Sequence, residues 1–99
     1  MTKRVVTAVD AQVDPAREVE LLDGYRRLTQ EDHPDGLVRT ELLREQEGAW
    51  RIQTTWESLE AVLAVRAAGK PPAAVALLDE IGAQHSHGWF LVEAAFEGR

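Results

Sequence analysis

The stretch from Pro34 to Val62 constrains the fold more than any other part of the chain. Pro34-Asp35-Gly36 carries turn chemistry, Leu37 to Glu45 reads as a strand, Glu47-Gly48 reverses the chain, and Ala49 to Glu57 reads as a second strand. At Ser58 the pattern switches to helix: serine can accept a hydrogen bond from the free amides of the first turn, and Glu60 complements the helix dipole there. A hairpin that feeds directly into a helix is the middle of a βαββαβ unit. Trp50, Ile52, Thr54 and Trp56 share one face of the second strand, and Arg51, Gln53 and Thr55 share the other.

The flanks supply the rest of the unit. Arg4 to Val13 alternates with period two and is rich in β-branched residues, which predicts a strand. Asp14-Pro15 starts a helix, with Asp14 as cap and Pro15 at the position whose N–H is not needed. Val19, Leu22, Tyr25 and Leu28 form its expected apolar stripe, and the helix is expected to end near Asp32, because His33 precedes Pro34. A helix from Leu59 to Ala68, packing through Leu59, Val62 and Leu63, is stopped by Gly69-Lys70-Pro71-Pro72. A further helical piece runs from Ala73 to about Ile81, a connection spans Ala83 to Ser86, and Trp89 to Phe96 is the expected last strand. The expected class is α+β: a ferredoxin-like βαββαβ fold with an antiparallel sheet, in one domain over residues 1–99.

Composition narrows the function. The chain has 99 residues, no cysteine and a formal net charge of -6. Thiolate catalysis and cysteine-based metal sites are therefore excluded. With no basic stripe, nucleic acid is not an expected partner. No apolar run approaches the roughly 20 residues of a membrane span, and the N-terminal apolar run breaks at Asp10, so no membrane partner and a cytoplasmic location are expected. A core this small favours help from a second copy.

The junction Trp56-Glu57-Ser58-Leu59-Glu60-Ala61 resembles a signature of the antibiotic-biosynthesis monooxygenase family, and the order of elements is similar from Val5 to Phe96. The resemblance implies a dimeric α/β barrel, in which two sheets pair face to face as a homodimer and each subunit keeps a pocket between sheet and helices. It also implies a small aromatic, polyketide-like substrate and oxygen as partners, with no metal or flavin cofactor. Other members of the family degrade haem, using an asparagine on the first strand and a tryptophan and a histidine on the helices after the junction. This chain has no asparagine, and its segment from Leu59 to Ile81 has neither tryptophan nor histidine, which argues against haem degradation. A histidine common in the family nine residues after the junction tryptophan is Val65 here, leaving a more apolar pocket.

Candidate chemistry is sparse. His85-Ser86-His87 precedes the expected last strand and suits a base and its helper, since histidine titrates near neutral pH; His87, nearer the strand, is the expected general base, with His85 as a substrate contact. A pair of solvated loop histidines is the bland alternative, and a third ligand for a metal is not visible. Arg39, if inward, would hold a phenolate or enolate oxygen; otherwise it forms a surface cross-strand ion pair with a neighbouring acid. Thr7 is a possible donor into the pocket, Tyr25 a possible hydroxyl contact, and Trp50 a possible wall for a flat ligand, while Trp56 and Trp89 are assigned to packing. Three functions fit: a cofactor-independent oxygenase, an isomerase or cyclase using the same base without oxygen, and a non-catalytic ligand-binding accessory protein.

Overall fold

The computed structural model describes residues 3–69 and 72–98, so Lys70 and Pro71 of the expected helix stop lie outside the described residues. The element order is β1 (Val5–Gln12), a 3-10 turn (Pro15–Arg17), α1 (Glu18–Gln30), β2 (Leu37–Gln46), β3 (Ala49–Trp56), α2 (Leu59–Ala67), α3 (Ala73–Glu80) and β4 (Gln84–Leu91). The strands form one sheet in the order β2-β3-β1-β4, and every neighbouring pair is antiparallel. This is the α+β, ferredoxin-like arrangement. Among the described residues no helix is long and apolar enough to cross a membrane.

Local chemistry accounts for the boundaries. The Asp14 carboxylate accepts from the Ala16 amide at 2.9 Å, and the turn over Pro15–Arg17 leads into α1 three residues later than the sequence alone suggests. The buried stripe of α1 is also rotated from the expected one. Leu21 and Gly24 are buried, Leu22, Tyr25 and Leu28 pack against the core, and Val19 is 67% exposed. Gly24 is selected by proximity, because a Cβ there would overlap Leu77 Cδ1 of α3. At the hairpin Gly48 adopts a φ of 82°, a conformation that costs glycine little. Ser58 caps α2 through the Ala61 amide at 3.2 Å. That helix buries Val62, flanked by Ala61 and Val65, whereas Leu59 and Leu63 face outward.

The last strand needs the largest correction. β4 runs over Gln84–Leu91, five residues earlier than the expected Trp89–Phe96. Gly82, with a φ of 72°, ends α3 sharply, and the Ala83 amide donates to Leu78 O at 2.9 Å, so the chain re-enters the sheet at Gln84. His85 and His87 therefore lie within the strand, opposite Ala11 and Val9 of β1.

The helices cover one face of the sheet, and the apolar residues beneath them fall into two groups. Val9, Ala11, Val13, Leu21, Trp50, Ile52, Leu77, Leu78 and Ile81 form one cluster between the sheet, α1 and α3. Val5, Trp56 and Val62 form a second beneath α2. Val5, Leu21 and Leu78 are essentially inaccessible, each such burial contributing about 1.5–3 kcal/mol. The opposite face carries the Asp10–Arg51 and Arg39–Glu41 ion pairs together with Val6 and Phe90, the latter 54% exposed.

Candidate functional site

Strand register explains why the core is divided. On the helix-covered face, one row across the sheet reads Leu91, Val5, Trp56, Leu37, and another reads His87, Val9, Ile52, Leu42. The row between them reads Trp89, Thr7, Thr54, Thr40. Three threonines thus lie side by side where valines would complete a continuous core. Above this row is a cavity of about 500 Å³, within the range of small-molecule sites.

The walls are mostly apolar. Val9 and Ile52 rise from the sheet, Leu28 from α1, Val62 and Val65 from α2, and Val75 from α3. Trp56 closes one end and is buried, while Trp89 and His87 line the β4 side. Asp32, His33 and Arg66 add charged or polar groups to the lining.

The polar floor is ordered by hydrogen bonds. Trp56 Nε1–H donates to Thr7 Oγ1 at 3.0 Å. An indole nitrogen can only donate, so Thr7 accepts, and its own hydroxyl hydrogen has no acceptor among the described residues. Tyr25 Oη donates to Thr40 Oγ1 at 3.2 Å, and Thr54 Oγ1 reaches the same oxygen at 3.3 Å. The floor therefore presents hydroxyl hydrogen donors to a ligand oxygen.

The base candidates form a chain. His87 Nε2 is 2.9 Å from His85 Nδ1, and His85 Nε2 is 2.7 Å from Asp79 Oδ1 at the end of α3. The two imidazoles are tilted by 34° with centroids 5.0 Å apart. His85 is not among the residues lining the cavity; it stands behind His87. The alternation of β4 places both rings on one face, and the turn at Gly82 brings Asp79 alongside. Among the described residues no group of three His, Cys, Asp or Glu side chains is arranged to hold a metal ion.

Two other candidates lie elsewhere. Arg39 is on the uncovered face, 3.4 Å from Glu41 and largely exposed. A bulge at Val38 shifts the register between Leu37 and Arg39, so Arg39 pairs with Thr55 and points away from the cavity. Trp50 is one row beyond the cavity and buried. Its Nε1–H donates to Glu18 Oε2 at 2.9 Å, and the Arg44 guanidinium lies 4.5 Å from its ring centroid. Thr7 and Tyr25 do line the cavity, as do Trp56 and Trp89, which the sequence had assigned to packing. Thr54 was not singled out, although it was visible as the polar member of an otherwise apolar strand face. The resolved charge effects lie outside the cavity. Hydrogen bonds from Arg51 hold Asp10 below the ordinary aspartate range, and Asp10 in turn raises Arg51.

No family model matches the sequence, and no curated protein does. The likeness is to solved structures. A mutant of SnoaB, a cofactor-independent oxygenase from Streptomyces nogalater, is 23% identical over 96% of this chain and 98% of its own, with a TM-score of 0.66. A putative antibiotic biosynthesis monooxygenase from Deinococcus radiodurans reaches a TM-score of 0.72 at 14% identity, covering 96% of this chain and 98% of its own. A heme-degrading protein from Mycobacterium tuberculosis has a TM-score of 0.64 at 25% identity, over 99% of this chain and 100% of its own. The chain has the ferredoxin-like fold of these antibiotic-biosynthesis-monooxygenase-like proteins.

Proposed function

We propose that the chain is a small cofactor-independent monooxygenase acting on an aromatic, polyketide-like molecule. The observation that carries this reading is the pairing of a mostly apolar cavity with a hydroxyl floor and an imidazole in its wall. A flat substrate lies between Trp56 and Trp89. His87 removes an acidic C–H or phenolic proton, and the Thr7 hydroxyl donates to the oxygen on which the negative charge accumulates. The electron-rich anion then reduces oxygen without a metal or flavin. For a substrate methylene oxidised to a carbonyl, one oxygen atom enters the product and the other leaves as water, so the substrate supplies all the electrons.

The apolar surface that α2 offers, with Val62 and Val65 in the wall, suits an aromatic hydrocarbon frame. The absence of asparagine, and of tryptophan and histidine between Leu59 and Ile81, separates this chain from the haem-degrading pattern. The active form is a homodimer in this reading. Support comes from the sheet face the helices leave uncovered, with Val6 and Phe90 on it, and a stable monomer at micromolar concentration in sedimentation would remove that element.

The test is oxygen uptake with a panel of anthrone-type substrates. Uptake that matches product formation supports the oxygenase. Turnover that persists without oxygen identifies an isomerase or cyclase, and saturable binding without turnover identifies an accessory ligand-binding protein.

A further inference from the structure

Which nitrogen of His87 is free to accept a proton is decided outside the cavity. Asp79 is the next-to-last residue of α3, and the reversal at Gly82 sets its carboxylate against the start of β4. An ionised carboxylate only accepts hydrogen bonds, so at 2.7 Å the hydrogen between Asp79 and His85 sits on His85 Nε2. A neutral His85 is then bare at Nδ1. The 2.9 Å contact to that atom requires the hydrogen of His87 to sit on Nε2. His87 Nδ1 is left unprotonated, with no hydrogen-bond partner among the described residues.

We propose that Asp79 and His85 are positioning residues that fix the tautomer of His87, and that the three side chains form a proton relay from the cavity to solvent. The proposal rests on His87 being the base. His87 Nδ1 takes the substrate's proton, and its Nε2 hydrogen passes to His85 Nδ1. The positive charge then sits on His85 beside the Asp79 carboxylate. Two proton transfers carry one positive charge to His85, and nothing is oxidised or reduced. His87 is exposed, the side chain of His85 is 18% exposed and that of Asp79 is 63% exposed, so His85 is the shielded link between two ends that reach water. The proton can return to an oxygenated intermediate or leave to water at the Asp79 end. His85, two residues from His87 on the same strand face, cannot be exchanged for a neutral spacer without cutting this path.

The test reads the tautomer directly, without a substrate. Side-chain nitrogen NMR on labelled protein at about pH 8.5, above the ordinary histidine range, should show His87 protonated at Nε2 alone. Asp79→Asn can turn its amide hydrogen toward His85 Nε2. That would move the His85 hydrogen to Nδ1 and reverse both rings, so the His87 Nδ1 signal shifts toward the protonated position. Asp79→Ala should give a mixture, and Asp79→Glu should restore the original spectrum. Because Asp79 is largely exposed, these variants should keep the backbone spectrum of the parent. A His87 tautomer unchanged in both Asp79→Asn and Asp79→Ala overturns the proposal. Where turnover is measured, Asp79→Asn should lower kcat about tenfold or more with KM nearly constant, in line with an impaired general base. A correct tautomer response with no turnover would sustain the relay and remove the oxygenase reading instead.

Discussion

Replacing Thr7 with valine separates what the threonine row does for stability from what it does for the cavity. Thr7 Oγ1 is the acceptor for Trp56 Nε1–H at 3.0 Å, and Trp56 is 8% exposed. Valine keeps the shape but removes the acceptor. A buried donor left unpaired costs about 1–3 kcal/mol, and the added methyl group returns at most about 0.8 kcal/mol. The net destabilisation should be about 1 kcal/mol, or roughly 5 °C in Tm for a domain of this size. Thr54→Val is the control. Thr54 contacts only Thr40 at 3.3 Å, and Thr40 keeps its bond to Tyr25 at 3.2 Å, so no donor is stranded. Its stability should stay within about 0.5 kcal/mol of the parent, because surface-like changes away from buried partners have effects of that size. Urea unfolding followed by tryptophan fluorescence, at one protein concentration, measures both. Equal midpoints for the two variants would refute the reasoning, because they would mean that the indole N–H does not depend on Thr7.

Other perturbations follow from the same contacts. Glu18→Ala strips the partner from Trp50 Nε1–H and from Arg44, and with the Glu18 side chain 16% exposed it should cost about 1–2 kcal/mol in denaturant unfolding. Gly24→Ala should destabilise by about 1–2 kcal/mol despite alanine's better helix propensity, because its Cβ meets Leu77 Cδ1, and combining it with Leu77→Ala should show a favourable coupling in a double-mutant cycle. Asp10 is held below its ordinary value by Arg51, so its contribution to stability is present above about pH 4, the unfolded aspartate range, and is lost as pH falls through the lower folded value. The pair is largely exposed, so Asp10→Asn should remove no more than about 0.5 kcal/mol at neutral pH and flatten the acid limb of a stability-against-pH curve.

The hairpin, the capped helix after Ser58 and the α+β order were legible because turn chemistry and period-two alternation are local signals. The buried stripe of α1 was misjudged because Val19 fits a three-residue spacing, whereas docking against α3 selects Leu21 and Gly24. The last strand was displaced because Trp89 to Phe96 is the more apolar run, while Gln84 to His87 enters the sheet only through its pairing with β1. The facing of Arg39 depends on the bulge at Val38, which no residue type announces. The threonine row spans three strands and emerges only when their registers are known. Asp79 is six residues from His85 and meets it through the turn at Gly82, a contact whose partner and geometry depend on that turn.

In the proposed function, the cavity above Thr7 and Thr54 is a catalytic site and His87 is its base. The direct measurement compares oxygen consumption by the parent and by His87→Ala with an anthrone-type substrate that the parent turns over. His87 is exposed in the strand, so the variant should fold and bind the substrate. In His87→Ala, kcat should fall by about 10²-fold or more, the usual contribution of a general base. Parent-like turnover by His87→Ala would contradict that role.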